Sequence, residues 1–138
     1  MNANFLDAHE RHWDDAERLF AAQRWANADH LYGVAAECGL KRLMQRFGML
    51  VDAAGSPSSK SDRMHVDVIW ARYESYRSGT VVGTGYGLAA GNPFNNWRVS
   101  DRYADQCQFN QPSTQVHQQG AQQVRKLISK AQREGLLP

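Results

Sequence analysis

The sequence contains few cysteines and no long apolar run. Among its 138 residues only Cys38 and Cys107 are cysteines, and neither lies in a CxxC pair or a Cys/His cluster with zinc spacing. Two such thiols are typical of ordinary buried cysteines in a reducing compartment. No apolar stretch approaches the roughly 18 residues that a membrane span requires. Because the N-terminal stretch is also charged from Asp7 onward, we expect a cytoplasmic protein without membrane contact.

The net charge of the chain is also small. A formal net charge of +2 and a pI near 8.7 permit an anionic partner but fall short of the basic coat of a general nucleic-acid-binding protein. The length is that of one ordinary domain, and a hydrophobic content of 42% is sufficient for one core. We therefore expect a single domain over residues 1–138.

Apolar residues recur at steps of three and four over much of the chain. This periodicity predicts four helices, over residues 4–23, 27–47, 63–77 and 113–134. The second has apolar residues on more than one side, which predicts a central position. Gly48 and Gly135 are expected to end the second and the last helix, and Ser61 or Asp62 to cap the third.

The stretch from Ser78 to Pro112 has neither helical nor alternating periodicity. It is rich in Gly and Asn, and it is longer than the connections usual in compact domains. Its aromatic residues Tyr86, Phe94 and Trp97 argue against simple disorder. The predicted fold is thus all-α: an up-and-down four-helix-type bundle with a long irregular loop before the last helix.

The second helix also carries a polar stripe. At 3.6 residues per turn His30, Val34, Glu37 and Lys41 lie along one line. The stripe could form a polar patch in a groove or interface, in which Glu37 orients His30 or holds a cation. Alternatively, Glu37 and Lys41 form a surface ion pair worth about 0.3–0.5 kcal/mol.

The segment HWDDAERLFAAQRWANADHLYGVAAECGLKRLM resembles the opening helix pair of HEPN-type domains. The resemblance lies in an alanine-rich second helix that reaches Glu37 and then Lys41, and in NNWRVSDRYADQ, which is similar to the Arg-Tyr stretch before the final helix of many HEPN proteins. It implies a helical bundle that often dimerises, without a cofactor, in a family whose active members are metal-independent endoribonucleases. An RNA-directed role linked to defence or toxin-antitoxin systems follows from the same resemblance.

The resemblance also suggests site residues. Those nucleases use an Arg followed after four to six residues by a His. The His moves a proton, and the Arg stabilises the charge of the phosphorane. The late candidates here, Arg102 and His117, are fifteen positions apart and depart from that pattern. Arg24 and His30 have the family's spacing but open the second helix. We take Arg102, His117 and His30 as catalytic candidates, and the candidate binding residues are Arg24, Glu37, Lys41, Tyr103 and Trp97.

Two other functions are open. The bundle could be a non-catalytic binding or scaffold module that recognises a partner protein or a small ligand through the 78–112 loop, with Phe94 and Trp97 as contacts. It could instead be a metal enzyme using His9, His12 and Glu37, although His9 lies on the apolar stripe of the first helix and is better explained as a core residue. We expect no metal site.

Overall fold

The computed structural model describes residues 1–138, and its regular structure is helical throughout. There is no strand; Val51 and Pro57 form one isolated bridge. This confirms the predicted all-α bundle with an irregular segment before the last helix. Its four α-helices are α1 (Phe5–Ala21), α2 (Trp25–Arg46), α3 (Val66–Ser78) and α4 (Gln111–Arg133).

Local capping fixes the helix ends. The side chain of Asn110 accepts the backbone N–H of Ser113, so α4 begins two residues before the predicted Ser113 and holds Pro112 in its first turn, where no N–H is needed. As predicted, Gly48 and Gly135 follow the C-termini of α2 and α4, with positive φ angles of 111° and 74°. Between α1 and α2, Gln23 takes the same left-handed conformation with φ 59°.

Helix α2 is central, as its apolar pattern predicted. It runs antiparallel to α1, since His9 lies against Ala35 while Glu17 accepts the Tyr32 hydroxyl. Both α1 and α4 approach α2 at Gly39, where an added Cβ would lie 2.5 Å from Val124 and 2.7 Å from His9. The absence of a side chain at this position therefore lets three helices meet.

The start of α3 differs from the prediction. Residues 60–62 form a separate short 3-10 turn, and α3 begins at Val66 without a side-chain cap. Asp62, predicted as a possible cap, is buried; its carboxylate accepts from Arg72 Nε at 2.8 Å and from the Tyr76 hydroxyl at 2.6 Å. Asp62 thus binds the side of α3 two turns further along.

The segment between α3 and α4 forms part of the core. It contains three short 3-10 turns, at residues 82–85, 99–103 and 106–108. Tyr86, Phe94 and Trp97 are all buried. Trp97 packs against Gly33 of α2, and Phe94 packs against Gly120 of α4. The loop is therefore held by aromatic side chains that fit against helical glycines.

The cysteines are both free thiols. Cys38 is buried as expected, whereas Cys107, in the 3-10 turn at residues 106–108, is exposed. None of the helices combines the length and the apolar character needed to cross a membrane.

Candidate functional site

A buried pair, one histidine and one aspartate, joins α2 to α4. His117 Nδ1 lies 2.5 Å from Asp29 Oδ1, and the exposed fractions of the two residues are 5% and 3%. On the other side of the ring, Nε2 lies 2.9 Å from the side-chain oxygen of Asn96. Phe94 stacks on the face of the imidazole, with ring centroids 5.2 Å apart. Both nitrogens and one face of His117 are therefore fixed.

This arrangement can hold His117 in either protonation state. Asp29 accepts the Nδ1–H in both, which is how a carboxylate selects the tautomer of a histidine. In the imidazolium form Nε2–H donates to the Asn96 oxygen, and in the neutral form Nε2 accepts from the Asn96 amide once that group turns over. Because Nδ1 is bonded to the buried Asp29, Nε2 is the ring nitrogen whose hydrogen bond, to Asn96, a ligand could replace.

Trp97 of the loop contacts two consecutive residues of α2, Asp29 and His30. Its indole N–H donates to the backbone carbonyl of Asp29 at 3.2 Å. One face of the indole stacks on His30, with an interplanar angle of 13° and centroids 5.8 Å apart. Trp97 is fully buried, so it positions its neighbours and is not available as a surface contact for a partner, contrary to its interpretation as a binding residue.

His30 is half-buried, and its Nδ1 is buried without a hydrogen-bond partner. Burial is the main reason why the pKa of His30 is lowered, and the positive charge of Arg102 is the second. The imidazole is therefore held in its neutral form near neutral pH. Of the predicted catalytic candidates, Arg102 in the loop is thus near enough to His30 in α2 for its charge to act on the imidazole.

A cationic cleft of about 420 Å³ opens at the N-terminus of α2. Arg24 and Arg102 both line it, and neither pairs with a carboxylate at salt-bridge distance. The Arg102 guanidinium lies 4.9 Å from the ring centroid of Tyr103, which is 78% exposed. Because α2 has no side-chain cap and no acidic residue in its first turn, its N–H groups add to a site suited to an anion.

The histidine centre adjoins this cleft. His117, Asp29 and Asn96 line a second pocket of about 180 Å³. Both pockets share Asp101 and Ala104 as lining residues. The two pockets are therefore neighbours that meet at Asp101 and Ala104, and His117 lines only the smaller one.

The remaining predicted binding residues lie elsewhere. Glu37 bonds Lys41 Nζ with one carboxylate oxygen and His65 Nδ1 with the other, both at 3.0 Å. Lys41 is only 4% exposed, so the interpretation of this pair as a surface ion pair is wrong. Glu37 makes no hydrogen bond to His30. The stripe is therefore divided: His30 stacks on Trp97, whereas Lys41 lines a separate pocket.

Sequence reasoning missed Asp29 and Asn96. Asp29 precedes the candidate His30, but its partner His117 is 88 positions away, and no local pattern joins them. The three residues His9, His12 and Glu37 do not form a metal site, since no cluster of three or more metal-ligating side chains exists in the structure.

No protein-family model, curated protein or solved structure matches this chain.

Proposed function

We propose that this chain is a HEPN-like, RNA-directed protein that binds an RNA phosphate at Arg24 and Arg102 and cleaves the adjacent bond without a metal. The observation that carries the proposal is the position of His117, bonded to Asp29 and adjoining the cationic cleft. An Arg near a His suits the transesterification of RNA, because the phosphorane gains negative charge while a proton leaves the 2′-hydroxyl.

In the proposed step, Asn96 swings away and neutral His117 accepts the 2′-hydroxyl proton at Nε2. The 2′-oxygen then attacks the phosphorus, a 2′,3′-cyclic phosphate forms, and the bond to the 5′-oxygen breaks. The 5′-oxygen leaves with a proton returned by the imidazolium. Asp29 is a positioning residue that keeps Nδ1–H directed away from the substrate, and Arg102 stabilises the phosphorane.

Cleavage of a labelled RNA pool in the presence of EDTA tests the proposal. We expect His117→Ala to reduce the rate about 10²- to 10⁴-fold, the usual contribution of general acid–base catalysis. Arg102→Ala should reduce both cleavage and RNA binding. Arg46→Ala is the matched control, since Arg46 is an exposed arginine at the opposite end of α2. Equal residual cleavage by all four proteins would refute the enzymatic proposal.

His30 has a test of its own in the same assay. Because its ring is neutral and near Arg102, a role in proton transfer predicts that His30→Gln alters the pH profile of cleavage. A role confined to packing on Trp97 predicts an unchanged profile with lower thermal stability.

A second function is favoured by the burial of His117, which is 5% exposed with both nitrogens engaged. Under this alternative the cleft binds a phosphate-bearing ligand without cleaving it, and the 78–112 loop supplies the Arg102 contact. Arg102→Ala would then abolish binding while no protein variant cleaves RNA. The predicted homodimer is tested by analytical ultracentrifugation of the same samples.

A further inference from the structure

A third pocket, of about 420 Å³, lies beside the buried Lys41. The N-terminal segment forms one wall, since the backbone N–H of Ala3 donates to the carbonyl of Ala54 at 2.7 Å. The 51–57 loop forms another, closed by the bridge between Val51 and Pro57. Arg63 stands at the rim and is held there by a 2.7 Å hydrogen bond from Nε to the carbonyl of Pro57.

Lys41 has more donors than the protein satisfies. Its side chain is 5% exposed, and its ammonium group, with three N–H donors, has a single hydrogen-bond acceptor, Glu37. The other carboxylate oxygen of Glu37 lies 3.0 Å from His65 Nδ1. A buried cation with one partner is costly unless further acceptors are supplied. The remaining N–H donors of Lys41 are thus available to an acceptor in the pocket that it lines.

The other lining groups define the kind of anion. The Nη groups of Arg63 and the hydroxyl of Ser56 make no hydrogen bond to the protein, which leaves donors from three side chains for one ligand. Asp52 is the one acidic residue in the lining; its Oδ1 is engaged by the backbone N–H groups of Ala54 and Ser56. Phe5 forms an apolar wall, with its ring centroid 5.9 Å from Lys41 Nζ.

We propose that this pocket binds a small phosphate monoester, with the phosphate on Lys41, Arg63 and Ser56 and the organic group against Phe5. A tetrahedral phosphate presents enough acceptor oxygens to accept from all three of these side chains, which line the same pocket. Lys41 lies seventeen residues along α2 from Arg24, about 25 Å at 1.5 Å per residue. The pocket is therefore separate from the cationic cleft, and the inference does not depend on the proposed function.

Titration of the intact protein with three probes, followed by amide NMR and calorimetry, tests the proposal. Phenyl phosphate should shift the amide signals of Ala3, Phe5 and Ser56, and it should bind more tightly than inorganic phosphate because its ring packs on Phe5. Acetate should bind more weakly than either, since it has fewer acceptor oxygens.

Two variants and one control complete the design. Lys41→Met removes the buried charge. Arg63 is exposed, so Arg63→Gln should leave the fold intact. It should weaken the binding of phenyl phosphate about tenfold, as loss of a charge-assisted hydrogen bond does. Lys60→Met, at an exposed lysine three residues from Arg63, should bind as the wild type does. If Lys41→Met fails to fold, Arg63→Gln alone decides. Four results would each overturn the proposal. They are unchanged binding of phenyl phosphate by Arg63→Gln, amide shifts confined to Arg24 and Arg102, tighter binding of acetate than of phenyl phosphate, and no binding of phenyl phosphate.

Discussion

Replacement of Gly33 by alanine tests how Trp97 is fixed in the core. An ideal Cβ at position 33 would lie 2.2 Å from Trp97 Cε2 and 2.4 Å from Nε1, whereas ordinary contacts begin at 3.4 Å. A movement of about 1.2 Å, the difference between 3.4 and 2.2 Å, is therefore needed to restore an ordinary contact. Such a movement breaks the 3.2 Å hydrogen bond to the Asp29 carbonyl.

The magnitude follows from opposing effects. Alanine stabilises a helix interior by about 1 kcal/mol relative to glycine. Overpacking costs about 1–3 kcal/mol, and loss of the buried hydrogen bond costs about 1 kcal/mol more. We therefore expect Gly33→Ala to lower the free energy of unfolding by about 2 kcal/mol, measured by urea denaturation.

A matched control separates this effect from glycine replacement in general. Gly79 has φ −80° and its added Cβ would meet nothing closer than 3.5 Å. Gly79→Ala should therefore be neutral or stabilising by up to about 1 kcal/mol. The imidazole NMR signals of His117 should shift in Gly33→Ala, because Asn96 adjoins Trp97 in the chain and contacts His117. If Gly33→Ala is as stable as the wild type with unchanged His117 signals, the packing described for Trp97 is incorrect.

Three further predictions concern local chemistry. Gln23→Gly should raise the free energy of unfolding by about 1 kcal/mol in urea denaturation, because Gln23 has a left-handed φ of 59° that glycine adopts without strain; a loss of stability would contradict this. His9 is buried and burial lowers its pKa from 6.5 to about 4, so the unfolded state binds more protons between these values. Stability should fall as pH decreases through that window, by on the order of 3 kcal/mol, and a His9→Leu variant with the same pH dependence would exclude His9 as the cause. In native protein, a thiol reagent should label exposed Cys107 and spare Cys38, whose pKa burial raises to about 12; labelling of both before unfolding would refute the burial of Cys38.

Periodicity predicted the elements that present one apolar face. Helices α1 and α4 were placed to within a few residues, and the burial of His9 was predicted from its place on the apolar stripe of α1. Such a pattern gives the direction of a side chain but not what covers it. The sequence left open whether Lys41 lies in a groove or in a surface ion pair, because the N-terminal segment and the 51–57 loop, which line its pocket, leave no signal in the sequence of α2.

The candidate site was harder to predict because its members come from distant parts of the chain. His117, Arg102 and His30 were identified as single residues, but the pairing of His117 with Asp29 depends on α2 and α4 lying side by side. The burial of Trp97 depends on a glycine in another element, Gly33. A helical glycine normally suggests a weakness in the helix, and its role as a space for an indole is visible only after the helices have packed.

Asp29 links stability to the proposed chemistry through two different groups. Its backbone carbonyl accepts the Trp97 indole and so fixes the loop that carries Arg102, while its carboxylate accepts from His117. A change at Trp97 therefore acts on the fold and the site together, whereas a change of the carboxylate alone acts on the site with the backbone contact intact. Asp29→Asn is the variant that separates these effects: it preserves shape and the loop contact, and it removes the charge that holds the His117 tautomer.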